Sequence, residues 1–196
     1  MPRTAAIQRQ TKETRITGTV TLDGTGRSTI ATGLGFLDHM LTLLASHARI
    51  DLELSCTGDL EVDDHHTAED CALAMGAAID TALADRRGIG RYGESLTPMD
   101  EALARVAIDL SGRAASSIGL GLTREKIGDV AAENLVHFFR SLAQSLRCAI
   151  HIDLIRGEND HHRAEAAFKG FARALRQAIA IDPARAGEVP STKGVL

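Results

Sequence analysis

The sequence has 196 residues, 44% of them apolar and 3% aromatic, with a formal net charge of −4; this length suits one domain or two small fused ones. No apolar run approaches the roughly 18 residues that span a membrane, and the N-terminus has no apolar signal-peptide core, so we expect a cytoplasmic protein. The 22 basic residues are scattered and the three cysteines have no CxxC spacing, which argues against nucleic-acid binding, a disulfide framework and a zinc knuckle.

The residue patterns in the first half of the chain predict strands, followed by two helices with a strand between them. Residues 4–33 are rich in Thr and Ile, and "DGTG" at Asp23–Gly26 is typical of a hairpin turn. The run Arg49–Cys56 alternates as a half-buried strand does. Apolar residues spaced by three and four predict the helices. Their stripes are Leu37, Leu41, Leu44 and Ala48 in the first helix and Ala68, Ala72, Met75, Ile79 and Leu83 in the second.

The second half repeats this order. Residues 93–122 contain an alternating run, Ala104–Leu110, and a turn at Ser111 and Gly112, and the strand Cys148–Ile155 again separates two helices. The helical stripes are Leu135, Phe139, Leu142 and Leu146, then Ala164, Phe168, Phe171, Leu175 and Ile179. The first helices of the two halves match at a shift of 98 residues and the second helices at a shift of 96. A chance similarity of polar residues would not carry the apolar stripes with it.

These patterns predict an α+β fold of two tandem β-β-β-α-β-α repeats, with helices packed on mostly antiparallel sheets. The first half is residues 1–90 and the second is residues 91–196. Asp85–Gly93 joins them, and the boundary is expected near Gly90. Together the halves should form one pseudo-symmetric domain.

Each half carries two adjacent histidines at the start of its second helix, in "DDHHTAED" (Asp63–Asp70) and "NDHHRAEA" (Asn159–Ala166). On a helix, residues i and i+4 share a face, whereas the second histidine points about 100° away. Adjacent histidines therefore suit two ions, or one ion and one substrate. A capped polar helix start is the alternative for one motif alone, and the second copy in register favours metal binding. We expect the two motifs to be halves of one site.

With one histidine upstream of each motif, the chain offers six imidazoles and two carboxylates. The candidate metal ligands are His39, His65, His66, Glu69, His137, His161, His162 and Glu165. They suffice for two ions with three histidines and one glutamate each, a set that fits Mn²⁺, Fe²⁺ or Zn²⁺. An octahedral Mn²⁺ with four protein ligands keeps open positions, which indicates a catalytic ion.

A second group of candidate residues is basic and polar. Arg91, Arg113, Lys169 and the tail Pro190–Gly194 place cations and hydroxyls at the ends of predicted segments, where a small anion such as phosphate could bind. By composition alone each of these side chains is more often a solvated surface charge. Both interpretations stay open on the residues themselves.

Eight motifs along the chain carry a family resemblance. They are "TKET" (Thr11–Thr14), "GFLDHML" (Gly35–Leu41), "ASH" (Ala45–His47), "DDHHTAED", "PMDEAL" (Pro98–Leu103), "DLSGR" (Asp109–Arg113), "NDHHRAEAAFK" (Asn159–Lys169) and "PSTKGVL" (Pro190–Leu196). Over essentially the whole chain they resemble the imidazoleglycerol-phosphate dehydratase family of histidine biosynthesis, in its stand-alone, monofunctional form. One departure is Ala114, where the family usually has Pro after the residue matching Arg113.

The resemblance implies a fold like that of ribosomal protein S5 domain 2 in each half. It also implies a homo-oligomer, a 24-mer, with two Mn²⁺ ions per active site, bound by the eight candidate ligands where subunits meet. The implied substrate contacts are Glu13, His39, His47, Arg91, Arg113, Lys169, Ser191, Thr192 and Lys193. Glu13 is the implied catalytic acid/base, with His47 as a second candidate.

The reaction that the resemblance implies is the dehydration of imidazole-glycerol phosphate to imidazole-acetol phosphate. The proton to be removed is not next to a carbonyl, so we expect a dimetal-bound imidazolate that expels the hydroxyl and gives a diazafulvene-type intermediate. Two alternatives remain open. A dinuclear metallohydrolase would usually contain more aspartate, and a non-catalytic, metal-assembled cage would not need Glu13 or the basic group.

Overall fold

Four strands and two helices form the first half of the chain in the computed structural model, which describes residues 2–196. The strands are β1 (Thr4–Gln10), β2 (Thr14–Thr21), β3 (Ser28–Ala31) and β4 (Asp51–Gly58). The helices are α1 (Gly35–Ala48), which precedes β4, and α2 (His65–Leu83), which follows it. The first half therefore has the expected order β-β-β-α-β-α.

The second half repeats this order and adds a short hairpin. The repeated strands are β5 (Tyr92–Met99), β6 (Ala102–Asp109), β7 (Ala115–Gly119) and β10 (Ala149–Arg156). The helices are α3 (Ala132–Leu146) and α4 (Asp160–Ile179). The added hairpin consists of β8 (Lys126–Ile127) and β9 (Val130–Ala131), directly before α3. A 3₁₀ turn at Pro183–Arg185 follows α4.

The two large sheets have the same topology. Their strand orders are β1-β2-β4-β3 and β5-β6-β10-β7. In each sheet the neighbours are antiparallel except for one parallel pair, which is β3 with β4 and β7 with β10. The predicted α+β class with mostly antiparallel sheets is confirmed. No helix within residues 2–196 is both long and apolar enough to cross a bilayer.

The segment Asp23–Gly26 is not the hairpin turn that its composition predicts. Strand β2 pairs with β1 and β4, whereas β3 pairs in parallel with β4 on its other side. The segment therefore crosses over β4. The Asp51 carboxylate at the start of β4 accepts hydrogen bonds from the backbone N–H groups of Thr25 at 2.7 Å and of Gly26 and Arg27 at 3.0 Å. This tertiary contact, absent from a local turn pattern, overrides the hairpin.

The first hairpin turn lies instead between β1 and β2, at Thr11–Glu13. The hydroxyl Oγ1 of Thr11 accepts from the N–H groups of Glu13 at 3.1 Å and of Thr14 at 3.0 Å. Hydroxyl-to-backbone bonds of this kind stabilise a turn without glycine. The turn places Glu13 at the end of the first sheet.

The helices lie between the two sheets and join the halves. Helix α2 packs on β1 and β2 and against α3, while α4 packs on β5 and β6 and against α1. Every residue of the four predicted apolar stripes is at most 3% exposed and belongs to one continuous core. Each helix with adjacent histidines therefore runs beside a helix of the other half.

Arg86, in the connection between the halves, is almost fully buried at 2% exposure. Its Nη2 lies 2.5 Å from the Oδ1 of Asp80 in α2 and donates to the carbonyl oxygen of Leu146 at 2.8 Å. Its Nη1 donates to the carbonyl oxygen of Arg147 at 3.3 Å. One side chain thus ties the connection to α2 and to the end of α3. The domain boundary near Gly90 stays a prediction.

Replacing Arg86 with Met should destabilise the protein, because the buried carbonyl groups at the end of α3 lose their donor and Asp80 loses a cation. Asp80 keeps Arg147 as a second cation, so the main cost is the unsatisfied buried carbonyl oxygen of Leu146, about 1 to 3 kcal/mol, and we expect a loss of that order in the free energy of unfolding measured with urea. Arg87→Met is the matched control: Arg87 is 54% exposed and pairs with the exposed Asp85, so less than about 1 kcal/mol should be lost. Equal losses in the two variants would contradict the proposed role of Arg86.

Candidate functional site

A first cluster of candidate metal ligands forms between α2 and α3. It contains His65 and Glu69, one turn apart on α2, and His137 on α3. The Nε2 of His137 lies 2.8 Å from Oε1 of Glu69, and the rings of His65 and His137 stack with centroids 4.8 Å apart. One ligand atom from each residue lies within 4.8 Å of the others. We call these three residues the first cluster.

The second cluster forms in the same way between α4 and α1. It contains His161 and Glu165 on α4 and His39 on α1. The Oε2 of Glu165 lies 3.2 Å from Nε2 of His161 and 3.7 Å from Nε2 of His39. The two clusters correspond under the repeat. Each combines a His-x-x-x-Glu pair from one half with the upstream histidine of the other half.

Within one chain, the two adjacent-histidine motifs therefore belong to different clusters. His65 and His161 each meet a histidine from the helix alongside, His137 and His39 respectively. Two imidazoles and one carboxylate held within this distance fit a first-row divalent ion. Each chain thus contains two groups of three residues that could each hold one ion.

The tautomer of His65 also fits a metal ligand. The Nδ2 of Asn134 donates to Oδ2 of the buried Asp64 at 2.9 Å, so the Asn134 Oδ1, 2.9 Å from Nδ1 of His65, must accept from that ring. In the neutral ring this places the proton on Nδ1 and leaves the lone pair of Nε2 for an ion. Asn134 carried no signal in the sequence, since the position 98 residues earlier is Phe36. Phe36 instead packs edge-on to His161, with ring centroids 5.2 Å apart.

His66 and His162 lie in neither cluster. The Nδ1 of His66 is 3.0 Å from Oδ2 of Asp59, and the Nδ1 of His162 is 2.7 Å from Oε2 of Glu101. These hydrogen bonds raise the pKa of both histidines above the ordinary value. They also hold both rings by Nδ1 and leave Nε2 directed elsewhere. A hydrogen bond to Nδ1 is typical of metal-binding histidines, yet neither residue belongs to a cluster in its own chain.

Glu13 lies beside one of these histidines. Its Oε1 is 3.7 Å from Nε2 of His66. The turn that carries Glu13 is tied to α2 by Asp70, whose buried carboxylate accepts from Thr14 Oγ1 at 2.5 Å and from Arg9 Nε at 2.7 Å. An exposed carboxylate in a turn is thereby held next to a candidate metal ligand. The sequence contains no local pattern that places the two together.

His47 and Lys169 lie on the side of the second cluster. Lys169 Nζ is 2.5 Å from Oε1 of Glu165, one turn earlier on α4. His47 lies two turns after His39 on α1. Burial, and then the positive charges of Lys169 and Arg173, lower the pKa of His47 below its ordinary value. These two predicted substrate contacts therefore lie on the helices that form the second cluster.

The other basic candidates form a separate group with the tail. Arg91 pairs with Asp109 at 2.7 Å and donates from Nη1 to the carbonyl oxygen of Pro190 at 2.8 Å. Arg113 donates to the carbonyl oxygen of Ser111 at 3.3 Å, and Leu196 lies against the neighbouring residue, Gly112. The tail segment Ser191–Lys193 is thus held near Arg91 and Arg113. Within residues 2–196, no hydrogen bond or ion pair joins this group to either cluster.

A shallow cleft of about 380 Å³ opens beside the first cluster. Glu69 and His137 line it together with Arg140 and Ala114. Ala114 follows Arg113 in the chain, so the cleft extends from the first cluster to the start of β7. Arg140 was not among the residues that the sequence predicted, and a single exposed arginine on a helix has no distinguishing pattern.

Comparison with known proteins identifies the family. The family model for imidazoleglycerol-phosphate dehydratase (IGPD) matches residues 32–175, well over half of the chain. The chain belongs to the imidazoleglycerol-phosphate dehydratase family. This name denotes a hydro-lyase of histidine biosynthesis.

Individual relatives extend the match along the chain. The chain is 55% identical over 194 residues to the IGPD of Xanthobacter autotrophicus, covering 99% of this chain and 98% of that protein. It is 56% identical over 194 residues to the IGPD of Phytophthora nicotianae, where it spans only 42% of the longer relative. The family resemblance inferred from the eight motifs is confirmed.

Solved structures of the family have the same fold. The crystal structure of the Staphylococcus aureus IGPD matches with a TM-score of 0.83 at 39% identity, covering 91% of this chain and 99% of that chain. The Pyrococcus furiosus IGPD, solved in complex with (S)-C348, matches with a TM-score of 0.80 at 36% identity, covering 96% and 99%. The α+β architecture is therefore that of the IGPD family.

Replacing Asn134 with Leu should weaken the binding of a divalent ion at the first cluster, because Leu cannot hold Nδ1 of His65. Losing such a supporting hydrogen bond typically costs about 10- to 100-fold in metal affinity. Titration with Mn²⁺ should show one weakened site and one unchanged site per chain. Phe36→Leu, at the corresponding position near His161, is the control and should change neither site by more than about twofold, since it removes no hydrogen bond. Equal weakening of both sites by Asn134→Leu would exclude this explanation.

Proposed function

We propose that the chain dehydrates imidazole-glycerol phosphate to imidazole-acetol phosphate in L-histidine biosynthesis, as a metal-dependent carbon–oxygen lyase. The observation that carries the proposal is the pair of equivalent His-His-Glu clusters in a member of the IGPD family. The two nitrogens of an imidazole ring flank one carbon and their lone pairs point away from each other, so two equivalent ions could engage both. A cytoplasmic location belongs to the same proposal.

The cofactor in this proposal is Mn²⁺, with two ions per active site. One ion would bind to His65, Glu69 and His137, and the other to His39, His161 and Glu165. We infer that another copy of the chain supplies a fourth ligand to each, from His66 or His162. Support comes from the geometry of these two histidines, which are fixed through Nδ1 and belong to no cluster of their own chain. A homo-oligomer, the 24-mer expected from the family resemblance, would then place active sites where subunits meet.

The metal ions, when bound, would favour the imidazolate form of the substrate ring by lowering the pKa of its N–H, so that the neighbouring hydroxyl can leave. Glu13 is the candidate base for the carbon-bound proton of the resulting diazafulvene-type intermediate, and its carboxylate lies 3.7 Å from Nε2 of His66. His47 is the second candidate for proton transfer. Burial and the charges of Lys169 and Arg173 lower its pKa, which favours the neutral imidazole that a base requires.

The phosphate end of the substrate would meet cations and hydroxyl groups. We propose that Arg91 and Arg113 bind it together with Ser191, Thr192 and Lys193. Arg91 already orients the tail through the carbonyl oxygen of Pro190. Lys169, on the second cluster, would reach the same phosphate only from a neighbouring copy or after leaving Glu165. Arginine forks suit the bidentate recognition of phosphate.

Turnover of imidazole-glycerol phosphate by the Mn²⁺-loaded protein is the direct test, with keto product and inorganic phosphate measured in parallel. We expect the keto product without phosphate release. Release of inorganic phosphate would instead identify a dinuclear hydrolase. A protein that assembles with metal but yields neither product would be a scaffold.

The Glu13→Gln variant makes this test specific. It should lower kcat by at least about 100-fold, the usual contribution of a positioned acid or base, while metal content and particle mass stay unchanged. Lys12→Gln, at the exposed neighbouring position, is the control and should keep turnover near the wild-type rate. Retained turnover in Glu13→Gln would remove Glu13 from the acid/base role.

Assembly should depend on metal if ligands come from different copies. Removing metal with a chelator should lower the particle mass measured by light scattering, and adding Mn²⁺ should restore it, because the interface loses its bridging ions. His66→Gln and His162→Gln should assemble poorly even with Mn²⁺. His151→Gln, on an exposed position of β10, should behave as wild type. An unchanged particle after complete metal removal would place all ligands of each ion within one chain.

A further inference from the structure

A basic cleft of about 450 Å³ lies between the C-terminal ends of α1 and α4. It is lined by Ser46, His47, Arg49, Arg173, Arg176, Gln177 and Ala180. We call it the arginine cleft. Of these residues, only His47 belongs to the site described above. The group formed by Arg91, Arg113 and the tail does not line it.

The three arginines of this cleft are exposed and have no acidic partner. Arg49, Arg173 and Arg176 all face solvent, and none forms an ion pair with a carboxylate within residues 2–196. No Asp or Glu lines the cleft in this described part of the chain. Three like charges that face one cavity repel one another, and an anion bound among them would relieve that repulsion.

The corresponding position in the other repeat has the opposite arrangement. Arg147, which is 98 residues after Arg49, ends α3 as Arg49 ends α1, and both residues have a left-handed backbone. Asp80, which is 96 residues before Arg176, lies beside it, with Oδ2 2.8 Å from Nε of Arg147. The second oxygen of Asp80 pairs with Arg86. One copy of the repeat thus contains a closed ion pair where the other contains an open group of cations.

Stabilisation of the helix ends is the simplest alternative explanation for these arginines. Cations near the C-terminus of a helix interact favourably with its dipole, which could by itself account for Arg176, in the last turn of α4, and for Arg49, which follows α1. The other repeat keeps this cation as Arg147 and neutralises it with Asp80. The fold therefore does not require an arginine at position 176, and helix stabilisation leaves Arg173, which lies before the last turn of α4, unexplained.

We propose that the arginine cleft is a binding site for the phosphate group of a small anion, either free phosphate or a phosphate monoester. Guanidinium groups bind phosphate oxygens through paired, charge-assisted hydrogen bonds. The volume falls within the range of small-molecule sites. The site is separate from the substrate phosphate contacts proposed for Arg91, Arg113 and the tail, and it does not depend on the proposed reaction.

The Arg176→Asp variant tests this site by installing the carboxylate that the other repeat has. The introduced carboxylate would pair with Arg49 as Asp80 pairs with Arg147, so the fold should tolerate the change. Isothermal titration of the metal-loaded full chain with inorganic phosphate, at constant ionic strength, should find one phosphate fewer per chain in the variant. Arg105→Glu is the charge-matched control, since Arg105 is exposed on the second sheet and pairs with Asp153 at 3.1 Å. It should bind phosphate as wild type does.

Glycerol phosphate in a parallel titration distinguishes the two sources of the anion. Tighter binding of the monoester at this site would identify a phosphorylated metabolite as the ligand, and tighter binding of inorganic phosphate would identify the free ion. If Arg176→Asp does not fold, Arg49→Gln and Arg173→Gln replace it. Each should weaken binding at this site by about tenfold, as expected for one lost charge-assisted hydrogen bond.

Two results would overturn the proposal. One is phosphate binding with wild-type affinity and stoichiometry in all three cleft variants. The other is a smaller particle mass for the cleft variants together with no phosphate bound at the cleft of the wild-type protein, which would make the cleft a contact between copies. Neither result depends on turnover of imidazole-glycerol phosphate. Failure of this proposal is therefore distinguishable from failure of the proposed dehydration.

Discussion

The packing of α2 on α3 and of α1 on α4 determines where every cluster ligand lies. Each cluster needs one helix from each half, because a His-x-x-x-Glu pair on one helix face supplies only two of its three ligands. The approach of α2 to α3 is close at Gly76, where an added Cβ would lie 3.1 Å from the carbonyl oxygen of Leu142 on α3. A shift of one helical turn between the helices would move the third ligand by about 5 Å, too far from the other two to share an ion with them.

The repeat preserves this packing while the polar residues around it have diverged. His65 is oriented by Asn134, whereas the corresponding His161 lies against the ring of Phe36. The pair Arg147 and Asp80 corresponds to Arg49 and Arg176. The cation is therefore neutralised at the end of α3, whereas the arginines at the ends of α1 and α4 have no carboxylate beside them. The stripes stay apolar in both halves although matched residues differ in size, as Ala72 and Phe168 do, because every stripe position is buried and an unpaired polar group there would cost free energy. Polar residues at the rim of the core carry no such constraint, and there the two halves acquired different chemistry.

Local patterns were reliable wherever local physics determines the structure. The four helices follow from their apolar periodicity, and the strands β4 and β10 follow from alternation. The segment Asp23–Gly26 shows the limit of this approach, because its composition suits a tight hairpin but Asp51, more than twenty residues away, holds it as a crossover. The actual turn at Thr11–Glu13 contains no glycine and is closed by a threonine hydroxyl. Turn chemistry depends on which strands pair, and pairing is a long-range property.

The sequence by itself determined the repeat, the helices and strands, and the types of side chain available to bind metal. Helical periodicity placed His65 with Glu69 and His161 with Glu165, since residues four apart share a face. The third ligand was decided only by the tertiary structure, because it depends on which helix of the other half packs alongside. The same holds for His66 and His162: their neighbours Asp59 and Glu101 come from loops and turns, and only folding brings these carboxylates to Nδ1. Residue type and spacing thus specify the possible ligands, whereas the packing of the core decides which of them meet.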